Sequence, residues 1–132
     1  MNKNHRTDLI RYRLERAWET YDEALLMKRE KHWNTCANRL YYACFYAVLA
    51  LLEKDRLGSS KHSGIKSLFN RHFIKTEKID KKYGKLYNNL FEARQEGDYV
   101  DFVYFDADTV EPWFPEVKNF IEVVSRLVNI KR

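Results

Sequence analysis

Apolar residues recur three and four positions apart along most of the chain, the spacing that places side chains on one face of an α-helix. Ile10, Leu14, Ala17, Trp18, Tyr21 and Leu25 form one such stripe, predicting a first helix from about Thr7, a good N-cap, to Arg29. Trp33, Ala37, Leu40, Cys44, Ala47 and Leu51 form a second, predicting a helix over about 32–54. Tyr41, Phe45, Val48 and Leu52 widen that stripe, so this helix is expected at the centre of the fold. The stretch RLGSSKHSG breaks the pattern, with Gly58 suited to end the second helix and the serines suited to start the next. A short third helix is expected over about 63–73, with Ile65, Leu68, Phe69 and His72 facing inward. A fourth runs from about Asp80 to Gln95 on Tyr83, Leu86, Tyr87, Leu90 and Phe91, with Gly97 ending it or loosening its last turn. DYVDFVYFDAD alternates like a strand, but a lone strand has no partner, so it reads as an irregular aromatic connection. Val117, Phe120, Ile121, Val124, Leu127 and Val128 define a last helix. It either starts at an Asp108 cap and kinks at Pro115, or starts near Pro115. The pattern predicts an all-α fold: a single domain, with its core over about 7–130, built as an up-and-down bundle of four long helices plus one short helix.

Composition strengthens this picture. Four glycines and two prolines in 132 residues leave little material for hairpins or long linkers. No uninterrupted apolar run nears the roughly 18 residues of a membrane span, and the N-terminus lacks a signal peptide's apolar core. Cys36 and Cys44, eight residues apart on one helix, lie about 12 Å apart along its axis and cannot form a disulfide. The expectation is a cytoplasmic protein with no membrane contact. The net charge of +5 is unevenly placed. Residues 54–85 carry ten Lys or Arg against three acids, and residues 92–116 carry eight acids against Arg94 alone. The first segment is suited to a polyanion and the second to a partner surface, unless both are merely solvated faces.

Candidate chemistry centres on NRLYYACFY, residues 38–46, where Asn38 and Arg39 interrupt the most apolar helix. Arg39 and Tyr46 are seven residues apart, so they share nearly one face about 10 Å apart, with Tyr42 between them. No acid lies three or four residues from Arg39 on its own helix. Arg94 continues the apolar stripe of the fourth helix, and Asp98, four residues on, is placed to form a structural ion pair with it. His62, at the start of the third helix, is a further candidate for phosphate or nucleotide contact. There is no glycine-rich phosphate loop, CxxC, HExxH or inward Glu-x-x-His pair, so neither a cofactor nor a metal is expected.

Three blocks in order, NRLYYACFYAVLALLEKD, SKHSGIKSLFNRHFIKT and LYNNLFEARQEGDYVDF, resemble the HEPN domain family (higher eukaryotes and prokaryotes nucleotide-binding), above all its small stand-alone prokaryotic members. The resemblance runs from about Arg11 to Val128 and implies a helical bundle that dimerises. It also implies action on RNA or nucleotides, often as a metal-independent ribonuclease toxin whose motif is Arg, four to six residues, then His. Carried onto this chain, the motif arginine is Arg39 and the histidine position holds Tyr46. A tyrosine with an ordinary pKa near 10 is a poor base at neutral pH. Arg39 and Tyr46 are thus the expected catalytic pair, with Asn38, Tyr42 and His62 contacting RNA or nucleotide. The alternative is a non-catalytic dimeric binding module, for example the partner of a small nucleotidyltransferase, which the family often accompanies.

Overall fold

The computed structural model describes residues 3–130, with side chains from His5 onward. Met1, Asn2, Lys131 and Arg132, which the single-domain assignment includes, lie outside the described residues. The elements are α1 (Lys3–Arg29), α2 (Trp33–Lys54), α3 (His62–Phe69) continued by a π-helical turn (Asn70–Ile74), α4 (Lys81–Tyr99), α5 (Ala107–Val110) and α6 (Trp113–Leu127). The all-α bundle of four long helices is therefore as expected, and α5 adds a single turn. No strand occurs among the described residues.

α2 is central and packs on α1, α4 and α6. Leu40, Tyr41, Cys44, Ala47, Val48 and Leu52 on it are fully buried. Each large side chain of this kind contributes about 1.5–3 kcal/mol by leaving water. α2 has the length and mean hydropathy of a membrane span. Its apolar surface is accounted for by its neighbours in the bundle: eleven of its residues are buried. Cys36 and Cys44 are buried free thiols. Burial pushes the Cys36 pKa up to about 11 and that of Cys44 higher still, so both remain neutral.

α1 and α2 form a hairpin that turns at Lys31, which takes a left-handed φ of 60°. His32 N–H donates to Met27 O at 2.9 Å across that turn. Antiparallel packing about Lys31 brings together residues equidistant from it, and this register matters below.

Four local expectations need correction. α1 starts at Lys3 rather than at a Thr7 cap, and Arg6 and Arg13 both reach Glu53 at the end of α2, at 3.5 and 3.3 Å. Those ties hold the first turns of α1 where a cap alone would have ended it. Arg56, not Gly58, adopts the left-handed conformation after α2, with Leu57 N–H donating to Leu52 O. α4 runs through Gly97 to Tyr99. Gly97 serves close approach instead, since a Cβ there would lie 3.0 Å from the Phe105 ring. His72 does not face inward: the π turn rotates the chain so that Phe73 fills the core and His72 stays half-exposed. The last helix takes the second of its two expected starts, near Pro115. Asp106 caps the one-turn α5 by accepting from Thr109 N–H, and α6 begins at Trp113, where Pro115 is tolerated in the first turn.

Candidate functional site

Asn34, near the start of α2, holds the aromatic connection between α4 and α5. Its Nδ2 donates to Val103 O and its Oδ1 accepts from Phe105 N–H, both at 2.8 Å. This clamp leaves Tyr99, Val100, Phe102 and Tyr104 on the surface, with Phe102 92 % exposed. Beside it lies the polar line of α2.

That line is present as the helical spacing requires. The Arg39 guanidinium sits 5.3 Å from the Tyr42 ring centre, and the Tyr42 and Tyr46 rings are 6.4 Å apart. Its electrostatics differ from the expectation. Arg39 is paired: Nη1 donates to Glu23 Oε1 of α1 at 3.1 Å, while Nε and Nη2 donate to Asn38 Oδ1 at 3.1 and 2.8 Å. Tyr46 is covered by Arg16 of α1, whose guanidinium lies 5.2 Å from its ring centre. The missing acid thus comes from the neighbouring helix. Glu23 and Arg39 are equidistant from Lys31, as are Arg16 and Tyr46, and Arg13 and Leu49, whose carbonyl accepts from Arg13 at 3.3 Å. Mirror symmetry about the hairpin turn was the signal for Glu23 and Arg16, which helix-by-helix reading misses.

The Arg94–Asp98 pair forms at 3.8 Å, because α4 persists past Gly97. It is a long contact without a hydrogen bond, and Arg94 Nε is buried with no hydrogen-bond partner. Asp98 Oδ2 instead accepts from Asn38 Nδ2 at 2.8 Å. Arg94 Nη2 donates to Tyr99 OH at 3.3 Å, and the guanidinium lies 5.4–5.5 Å from the ring centres of Tyr41, Tyr42 and Tyr99. A single polar chain therefore links Glu23, Arg39, Asn38, Asp98, Arg94 and Tyr99 across three elements.

His62 joins the same surface from α3. Its ring stacks on Phe45 at 4.5 Å, lies 5.9 Å from Tyr42, and holds a 2.7 Å hydrogen bond between Nδ1 and Tyr41 OH. Burial raises the Tyr41 pKa to about 12, so its phenol keeps its proton. The bond fixes the imidazole and leaves Nε2 as the nitrogen available to a ligand. Burial, and then the nearby Arg94 charge, lower the His62 pKa below the ordinary range, so the ring is neutral at pH 7. All five expected contact residues, Asn38, Arg39, Tyr42, Tyr46 and His62, thus share one surface. Tyr41, read from sequence as core alone, turns out to orient His62. Among the described residues no group of three or more His, Cys, Asp or Glu side chains is placed to hold a metal ion.

The lowered pKa can be measured. Arg94→Gln should raise the His62 titration midpoint in an NMR pH series, because one of its two causes is removed; an unmoved midpoint would leave burial as the whole cause. The sign for stability follows. Between the folded and unfolded pKa values the unfolded chain binds more protons, so stability rises with pH through that window. The His62 contribution is complete above about pH 6.5 and is lost as pH falls through its folded value.

Against known proteins, the model of the HEPN domain matches residues 10–127. A UPF0332 protein of Thermotoga maritima is 40 % identical over 130 residues, covering 98 % of each chain. Two Methanocaldococcus jannaschii proteins are also similar. One, named "Putative toxin MJ0142", is 30 % identical over 86 residues, 65 % of this chain and 58 % of its own. The other, "Putative toxin MJ0605", is 29 % identical over 100 residues, 76 % of this chain and 74 % of its own. With the family's domain matched from Ile10 to Leu127 on an all-helical bundle, this chain belongs to the HEPN domain family.

Proposed function

We propose that the protein acts on RNA as a toxin-type HEPN protein, working as a homodimer in the cytoplasm, with the surface of Arg39, Tyr42, His62 and Arg94 as its RNA-facing site. The observation that carries this reading is the junction of a fixed, neutral imidazole with Arg94 and an exposed edge of tyrosines. Metal-independent RNA cleavage needs a base for the 2′-hydroxyl and a cation for the charge developing on the phosphate. His62 suits the first task better than Tyr46, because its imidazole is neutral at pH 7 and, with Nδ1–H donating to the Tyr41 oxygen, Nε2 has a lone pair to take the proton. Arg94 suits the second, because its contact with Asp98 is long, at 3.8 Å, and carries no hydrogen bond that would hold its charge. Arg39, held by Glu23 and Asn38, orients the network. Tyr42 offers a face for stacking a base.

The dimer part of the reading draws on the exposed aromatic connection, whose Tyr99, Phe102 and Tyr104 flank the site. Sedimentation at tens of micromolar should give a dimer, and Phe102→Asp with Tyr104→Asp should give a folded monomer. A wild-type monomer overturns the dimer part of the reading. For activity, purified protein incubated with total RNA and a chelator should produce cleavage that His62→Gln reduces about a hundredfold.

A second reading, a non-catalytic binding module such as a nucleotidyltransferase partner, is favoured by Tyr46, which by the resemblance takes the family's histidine position and which lies under Arg16. RNA binding without cleavage by intact dimer would select it.

A further inference from the structure

α3 and the π turn bound a groove of about 600 Å³ that the site above does not use. Lys66, Arg71 and Lys75 line it, with Ser59, Ser67 and Asn70 as neutral hydrogen-bonding groups, and no acid is among its walls. Its charges are also unneutralised. Among the described residues, Arg6, Arg11, Arg13, Arg16, Arg39 and Arg94 each face a carboxylate, whereas Lys66, Arg71 and Lys75 form no ion pair. By contrast, the groove between α1 and α6 is walled by Glu15, Glu19 and Asp22 and repels phosphate.

The shape of the groove is built in. Asn70 Nδ2 donates to Lys66 O at 2.9 Å and to Asn88 Oδ1 of α4 at 3.3 Å, fixing the point where α3 widens into the π turn. Gly84 of α4 lets that turn pack closely, since a Cβ there would lie 3.1–3.2 Å from Ile74 and Asn70. Without the wide turn, Arg71 and Lys75 would sit at a different angle around the helix from Lys66. The groove also reaches the site. Lys66 lies one turn after His62 on α3, with its Nζ 4.4 Å from the centre of the Phe91 ring. Phe91 packs edge-on against Tyr41, the hydrogen-bond partner of His62.

We infer that this groove is a second binding site, for the sugar–phosphate backbone of single-stranded RNA leaving the His62 surface, with Lys66, Arg71 and Lys75 as its phosphate ligands. The inference rests on the RNA-directed reading above. Three cations spread over ten residues span roughly 13 Å of helix, enough to follow a strand rather than hold one phosphate. Contacts of this kind carry affinity without base sequence.

The test uses the full-length protein and a fluorescent single-stranded 2′-O-methyl RNA, which has no free 2′-hydroxyl to be cleaved, with binding read by anisotropy across a salt series. K66Q/R71Q/K75Q should weaken binding about tenfold or more at 0.1 M salt and flatten the log–log salt slope by up to about 2, at about 0.7 per lost contact. Gln keeps helix propensity, and an unchanged melting curve establishes that the variant is folded. R29Q/K118Q/R126Q removes the same charge elsewhere and should change affinity little. Equal losses from both triples would mean net charge alone acts, overturning the groove. Wild-type binding unaffected by K66Q/R71Q/K75Q overturns the groove and leaves the RNA reading standing. No binding by the wild type removes both.

Discussion

Arg94→Met should lower RNA affinity at least about tenfold while changing the free energy of unfolding by no more than about 1 kcal/mol. A buried guanidinium is costly unless its donors are satisfied, and replacing such a group by an apolar one of similar size is often neutral or stabilising. Arg94 is only 8 % exposed, its Nε is unbonded and its carboxylate contact is long. Against that stand three tyrosine rings within 5.5 Å, each worth about 0.5–1 kcal/mol as a cation–π contact. Methionine keeps contact with those rings through its sulfur. Asp98 retains its bond to Asn38, so it is not orphaned. The two sides nearly cancel, which is the result expected of a group retained for its charge. Chemical denaturation and RNA binding on the same sample check this. A loss of several kcal/mol with affinity unchanged would return Arg94 to the role of a fastener for the end of α4.

Tyr46→His should raise metal-independent RNA cleavage by about a hundredfold. Histidine titrates near neutral pH and tyrosine does not, and a positioned base contributes about 10²–10⁴ to such reactions. The position is prepared for it: Arg16 lies over the ring of residue 46, and its charge would favour a neutral imidazole there, as Arg94 does for His62 in addition to burial. The gain should vanish in Tyr46→His with Arg39→Ala, because Arg39 holds Asn38 and, through it, Asp98. Arg39→Ala alone should leave Glu23, 48 % exposed, simply solvated, at a cost below about 1 kcal/mol. Cleavage by the unmodified protein that Tyr46→His fails to raise would assign the base to His62 alone. No cleavage from either form, with fold and dimer intact, favours the binding module.

Much of the fold was legible because helical periodicity is a local property. The stripes of Ile10 to Leu25, Trp33 to Leu51 and Val117 to Val128 each specify a helix and its buried face without reference to any other segment. The same locality placed Arg39, Tyr42 and Tyr46 on one line, because positions four and seven residues apart on a helix point alike. Element ends were less legible, since a cap residue competes with contacts from elsewhere. Thr7 lost to the Arg6–Glu53 and Arg13–Glu53 ties, and Gly97 proved to be a notch for Phe105 rather than a stop.

From residue types and spacing alone, this chain is an all-helical domain with α2 at its centre and a tyrosine-lined arginine on that helix. Which charges are free was decided only by tertiary structure, because pairing depends on side chains brought within about 4 Å from distant segments. The register of the α1–α2 hairpin set Glu23 against Arg39 and Arg16 against Tyr46. The docking of α3 set His62 against Tyr41 and exposed the unpaired bases of the π turn. Arg39, conspicuous in sequence for lacking an acid nearby, is neutralised in space, while Arg94, four residues from an aspartate, is left with an unbonded nitrogen. Sequence neighbours suggest pairs; packing geometry and desolvation determine which pairs form.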